Sequence, residues 1–196
     1  MNRGLVWRII LAALVRTSAL IGLILRENQL RDSGREAILA IEAMDPRDLL
    51  TGHFVAIRIS EARPDLNACP DGLPTDTDPG VMRLAPGPDG RHHLVVGPPK
   101  PGELKVKGFA DCEAIGLSPR VPPLPGMAPM RAPPIVTLDI GVDRYHADQD
   151  EAEAIDKALR DRTSGTAAVV VSIGPDQRAR LKGLILNGRR TDITWN

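Results

Sequence analysis

The sequence is poor in aromatic residues and carries no net charge. Phe, Trp and Tyr make up 3% of its 196 residues, and 25 basic residues balance 25 acidic ones. Few side chains are therefore available to stack on bases or sugars, and no basic excess is present to bind phosphate backbones. The composition argues against a nucleic-acid-binding protein, so we expect no nucleic-acid partner.

Cysteine is also scarce, since the chain contains only Cys69 and Cys112. Neither lies at zinc-ligand spacing from another cysteine or from a histidine, and the sequence has no glycine-rich phosphate-binding loop. We therefore expect no metal and no cofactor. The two cysteines could form a disulfide in an oxidising compartment or remain separate thiols, and the sequence leaves both alternatives open.

The longest apolar run, Leu5–Leu25, is long enough to cross a bilayer as a helix. Arg16 lies near its middle and costs about 3 kcal/mol on insertion, whereas each Leu, Ile or Val returns roughly 0.3–0.6 kcal/mol. Insertion therefore remains favourable. We expect residues 1–30 to form a membrane anchor, in preference to a cleaved signal peptide or a buried amphipathic helix. Arginines flank the run on both sides, so charge does not fix its orientation.

Residues 31–196 are expected to form a β-rich domain. Stretches such as REAILAIEA and HFVAIRIS alternate with the period of two that is typical of strands. Pro-rich segments near 63–79 and 117–134 indicate loops, and the acidic start of residues 148–162 indicates one short helix. The predicted fold class is mostly β (α+β): an N-terminal transmembrane helix, then an extracytoplasmic domain of seven or eight strands with one short helix.

The stretch MDPRDLLTGHFVAIRI, residues 44–59, combines an acidic turn with an alternating strand. It resembles the signature of the GDYxxLxY family of bacterial proteins, in which a DPRDL turn precedes Gly-Asp-Tyr, two free positions, Leu, one free position and Tyr. The corresponding positions here are Asp45, Pro46, Arg47, Asp48, Leu49, Gly52, His53, Phe54, Ile57 and Ile59. The turn, the glycine and the apolar character are kept, whereas the acid and both phenol hydroxyls are replaced.

A second similarity to this family lies at Arg144 and Tyr145, an Arg-Tyr pair that ends a strand before an acidic helix start. The hydrophobic N-terminus and the last strands are also similar. The resemblance implies a single-pass inner-membrane protein of bacteria with its domain in the periplasm. It also implies a structural or interaction role beside a multi-span membrane protein, without a defined activity.

An enzyme or a ligand-binding module is the alternative hypothesis. The anchor followed by Met44, Pro46, Gly52 and Val55 is similar to type I signal peptidase, but Ala43 stands at the nucleophile position and has no oxygen to attack with. A distant signal-peptidase-like fold without catalysis therefore remains open. A binding site on such a fold would use the acidic turn with Asp45, Arg47, Asp48, Arg144 and Tyr145.

The adjacent histidines His92 and His93 are a weaker candidate site. Neighbouring residues of a strand point to opposite faces, so these two make a poor metal chelate. We expect both to be solvent-exposed polar residues. The same expectation of an ordinary role applies to Asp45 and Asp48, which should pair with Arg47 or Arg58 rather than act as a catalytic pair.

Overall fold

The structure, a computed structural model, describes residues 3–43, 54–66, 68–113, 133–146, 155 and 167–193. These residues form one long N-terminal helix and ten strands. The elements are α1 Arg3–Ser33, β1 Arg35–Ala43, β2 Phe54–Ala62, β3 Gly80–Pro86, β4 His92–Leu94, β5 Leu104–Glu113, β6 Ile135–Asp139, β7 Arg144–His146, β8 Ala167–Ile173, β9 Ala179–Leu186 and β10 Arg189–Asp192.

All ten strands belong to one antiparallel sheet. Its order is β10-β9-β8-β1-β2-β6-β5-β3-β4, and β7 pairs with β2 beside this path. The predicted class, mostly β with an N-terminal apolar helix, is confirmed. The predicted number of strands, seven or eight, was too low, because β7 and β10 have only three and four residues, too few to show an alternating pattern.

The strand faces follow the alternation in the sequence. On β1 the side chains of Ala37, Leu39 and Ile41 are buried, while the intervening residues are half-buried or exposed. Side chains from eight strands, β1 to β6, β8 and β9, meet in one apolar core, which Tyr145 of β7 and Ile155 complete. The sheet also curls, so that β4 lies against β1: the backbone N–H of Ile38 donates to His92 Nδ1 at 3.2 Å.

Helix α1 runs directly into the sheet with only Gly34 between it and β1. Its C-terminal end lies against β8 and β9. Strand β8 is buried on both faces, with Val169 and Val171 in the core and Val170 and Ser172 on the opposite side. A Cβ at Gly34 would collide with Ser172 Oγ and come within 3.0 Å of the Ile173 carbonyl. The junction is therefore closely packed and needs the glycine.

Two of the predicted segments fall partly outside the described residues. Within the predicted helix 148–162 only Ile155 is described; it is helical and buried. Residues 63–66 and 68–79 form no strand beyond a single bridge between Thr75 and Asp78. Of the predicted loop 117–134, the structure describes only residues 133 and 134.

Candidate functional site

The two family-like segments meet in the structure as paired strands. The start of β2 pairs with β7 in the register Phe54–His146, Val55–Tyr145 and Ala56–Arg144. The backbone N–H of Ile57 then donates to the Asp143 carbonyl at 2.8 Å. Strand β6 pairs with the other end of β2, so β6 and β7 together follow one side of that strand.

Among the predicted site residues of this region, the structure describes the side chains of three, Ile57, Arg144 and Tyr145. Ile57 and Tyr145 are core residues, only 5% and 4% exposed. Arg144 is exposed, and its Nε lies 3.3 Å from the carboxylate of its neighbour Asp143. The remaining candidates, Asp45, Pro46, Arg47, Asp48, Gly52 and His53, lie outside the described residues, so their roles remain predictions.

The most extensive charged group in the described part of the chain surrounds Arg63, and the sequence did not predict it. Arg63 follows β2 and is only 8% exposed. Its guanidinium donates to both Asp65 oxygens at 2.7 and 2.8 Å, to Glu61 Oε1 at 3.2 Å and to the Leu94 carbonyl at 2.6 Å. We call Glu61, Arg63, Asp65, Asp89 and His93 the Arg63 cluster.

His93 links this cluster to the turn between β3 and β4. Its Nδ1 lies 2.5 Å from Glu61 Oε2, and its Nε2 lies 2.9 Å from Asp89 Oδ1. Both nitrogens can donate only when the imidazole is protonated. Burial lowers the pKa of His93, but the hydrogen bonds to Asp89 and Glu61 outweigh it, so the pKa lies above its ordinary value.

The expectation that both histidines are solvent-exposed was wrong. His92 is half-buried against β1, where burial first, and then the charges of His93 and Arg35, lower its pKa. His92 is therefore the neutral acceptor of the Ile38 N–H, whereas the raised pKa of the half-buried His93 favours its protonated form. Both roles depend on contacts more than thirty residues away in sequence, which the pattern of adjacent residues does not reveal.

We expect His93→Gln to change how stability depends on pH. The folded-state pKa of His93 is raised, so its protonated form stabilises the fold below the unfolded pKa of about 6.5. This contribution is lost as the pH rises through the folded pKa. The free energy of unfolding of the parent should therefore exceed that of the variant more at pH 6 than at pH 9, measured by urea unfolding of the full chain in detergent micelles.

The matched control for this experiment is His92→Gln. The pKa of His92 is lowered, so its neutral form favours the fold and its protonation disfavours it. The free energy of unfolding of the parent should therefore exceed that of the His92→Gln variant more at pH 9 than at pH 6. A His93→Gln variant whose stability parallels that of the parent from pH 6 to 9 would contradict the protonated role of His93.

The chemistry available to the Arg63 cluster is that of an ion-pair network. Among the described residues no group of three or more His, Cys, Asp and Glu is arranged to hold a metal ion. Two described serines, Ser60 and Ser172, have buried hydroxyls without a hydrogen-bond partner, so neither forms the Ser–His pair of an activated nucleophile. The cluster instead fastens β4 and the β3–β4 turn to the end of β2.

Cys69 and Cys112 form a disulfide, with Cα atoms 5.7 Å apart. The bond joins the loop that follows β2 to strand β5, across 43 residues of sequence. Cys112 lies opposite Val136 of β6. Of the two alternatives that the sequence left open, the structure therefore has the disulfide.

A second ion-pair group joins the helix to the sheet. Arg180 of β9 donates to Glu27 of α1 at 2.6 and 3.2 Å and to Asp176 at 2.9 and 3.1 Å. The hydrogen bond from Arg180 lowers the pKa of Asp176 to about 2, so this carboxylate stays ionised at neutral pH. The position of the domain on the helix is thereby held by a charged contact in addition to packing.

The chain matches a known protein family. A family model described as GDYXXLXY protein matches residues 16–184. This range includes most of α1 and strands β1 to β8, and it ends within β9. No curated protein and no solved structure matches the chain significantly.

Proposed function

The chain belongs to the GDYXXLXY protein family, and from this premise we propose that it is a membrane-anchored interaction protein. In this proposal α1 crosses the inner membrane of a bacterium once, and the β-domain lies in the periplasm. There the domain binds and steadies an integral membrane partner. The role is structural, with no reaction assigned to the described residues.

The observation that carries the proposal is the exposure of α1. The helix segment Trp7–Ser33 has a mean hydropathy of 2.0 in its most apolar window, and none of that window is buried within the protein. Its side chains Ile9, Leu11, Leu20 and Leu25 are about 60% exposed. Apolar surface of this extent is normally covered, and a helix of this length fits the hydrocarbon core of a bilayer.

The close junction at Gly34 supports a positioning role for the helix. A flexible linker would let the domain move freely above the membrane, whereas α1 continues to within one residue of β1. The Glu27–Arg180 ion pair adds a second connection. The domain would therefore present a defined surface to a neighbour in the same membrane.

The disulfide supports a location outside the cytoplasm. Stable disulfides form in oxidising compartments such as the periplasm and are rare in the cytosol. The Cys69–Cys112 bond lies in the β-domain, after α1. The bond favours the orientation in which the N-terminus lies in the cytoplasm. The distribution of arginines alone leaves the orientation undecided.

Topology and redox state can be tested together in a bacterial host. Alkaline phosphatase, which is active only after export, is fused after residue 196, and the thiols are blocked with a maleimide reagent before lysis. We expect an active fusion that remains in the membrane after a carbonate wash, and an unfused chain whose cysteines react only after reduction. A Cys69→Ser/Cys112→Ser variant is the matched control and should show no change on reduction.

Two results would contradict the proposal. A chain recovered in the soluble fraction, or one that begins beyond Leu25, would exclude a retained anchor. An inactive phosphatase together with freely reacting cysteines would place the β-domain in the cytoplasm. A fusion that is active and membrane-bound would leave the identity of the partner as the next question.

A further inference from the structure

Arg16 is the one charged residue in the central part of the apolar helix. No other charged side chain occurs between Ile9 and Leu25, and α1 is continuous through this region. Nine residues separate Arg16 from Leu25, about 14 Å along the helix axis. A guanidinium at this depth is near the bilayer centre, where charged side chains are costly and usually face another polar group.

No described residue of α1 supplies a counterion to Arg16. Residues 1–26 contain no Asp or Glu, and the first acid, Glu27, is bound to Arg180. Glu27 is eleven residues further along, about 16 Å from Arg16 on the axis. A second copy of the chain in the same orientation would bring another arginine to the same depth, and the like charges would repel.

The helix surface around Arg16 is suited to close approach by another helix. Residues three or four positions away share its face, and three of these, Ala12, Ala13 and Ala19, have small side chains. Small residues let the backbones of membrane helices come close together. This surface, Arg16 with the three alanines, is called the Arg16 face.

The Arg16 face is also the side of the helix on which the β-domain is fastened. Eleven residues are close to three full turns, so Glu27 lies almost in line with Arg16. Glu27 in turn accepts the hydrogen bonds from Arg180 of β9. A helix placed against the Arg16 face would therefore lie on the side of α1 where β9 is attached.

We propose that Arg16 forms an ion pair with an aspartate or glutamate on a membrane-spanning helix of another protein. This inference rests on the proposed function, because it takes α1 to cross the membrane, and it adds the chemistry of the partner. The carboxylate lies near the middle of the partner's helix and faces the three alanines. The ion pair removes the uncompensated charge from the bilayer, and the small side chains set the distance between the two helices.

Photo-crosslinking of the full chain in its native membrane tests the proposal. A photoreactive residue replaces Ala12 or Ala19 on the Arg16 face. Leu14 is the control position, because it is two residues from Arg16 and therefore lies about 200° around the helix from it. We expect the first two positions to crosslink to a membrane-spanning peptide that contains Asp or Glu. Leu14 should give no such product.

The same measurement is repeated with Arg16→Leu and Arg16→Lys. We expect the Arg16→Leu variant to stay in the membrane. The yield of its crosslink should fall at least about tenfold, which corresponds to about 1.4 kcal/mol of binding free energy. Arg16→Lys keeps the positive charge, so this variant should retain a substantial part of the crosslink yield. Once the partner peptide is known, exchanging the charges, with Arg16→Glu and arginine in place of the partner's acid, should restore the crosslink.

Several results would overturn the proposal. The first is that the chain crosslinks only to lipid or to a second copy of itself. The second is that the crosslinked helix of the partner contains no Asp or Glu. The third is that Arg16→Leu leaves the yield of the crosslink unchanged. If the parent is anchored but its crosslinks do not depend on Arg16, only this inference fails. If the parent is soluble, the proposed anchor fails, and the inference fails with it.

Discussion

Replacing Arg63 with methionine is expected to lower the free energy of unfolding by about 3 kcal/mol. The side chain is 8% exposed and donates to Glu61, Asp65 and the Leu94 carbonyl. Methionine fills much of the same volume without the charge, so Glu61, whose side chain is 11% exposed, and Asp65 both lose the guanidinium that pairs with them. Breaking a buried ion pair in this way typically costs about 3–5 kcal/mol, and the exposure of Asp65 places the expected value at the lower end.

Urea unfolding of the full chain in detergent micelles, followed by circular dichroism of the strands, measures this loss. Arg58→Met is the matched control, because Arg58 lies on β2, five residues before Arg63, and is exposed; it should change stability by less than about 0.5 kcal/mol. Equal stabilities of Arg63→Met and Arg58→Met would show that the Arg63 cluster does not fasten β4.

Removing the disulfide is expected to cost about 4 kcal/mol. The bond closes a loop across 43 residues, and the chain-entropy relation gives this value for a loop of that length. The loop contains β3 and β4, which lie at one end of the strand order. Without the covalent link, that end is held by its strand pairing, by its core side chains, by the Ile38–His92 hydrogen bond and by the Arg63 cluster.

The measurement compares the parent with Cys69→Ser/Cys112→Ser, each with and without a reducing agent. Serine is suitable because both cysteines are only half-buried. The reducing agent should destabilise the parent to the level of the variant and leave the variant unchanged. If the reduced parent is as stable as the oxidised parent, the disulfide contributes no stability.

The sequence by itself determined the elements whose formation depends on neighbouring residues. Twelve Leu, Ile and Val residues between Leu5 and Leu25 specify an apolar helix independently of how the β-domain folds. Alternation of apolar side chains identified β1, β2 and β5, because successive residues of a strand face opposite sides of the sheet.

Only the tertiary structure decided which distant residues meet. The Arg63 cluster joins residues about thirty positions apart, and nothing in a Pro-rich loop or a His-His pair indicates such a contact. The same is true of the Cys69–Cys112 bond, of the pairing of β2 with β7, and of the close contact at Gly34. Charges and sulfur atoms interact through space, so their partners are set by the order and curl of the sheet, which local periodicity does not encode.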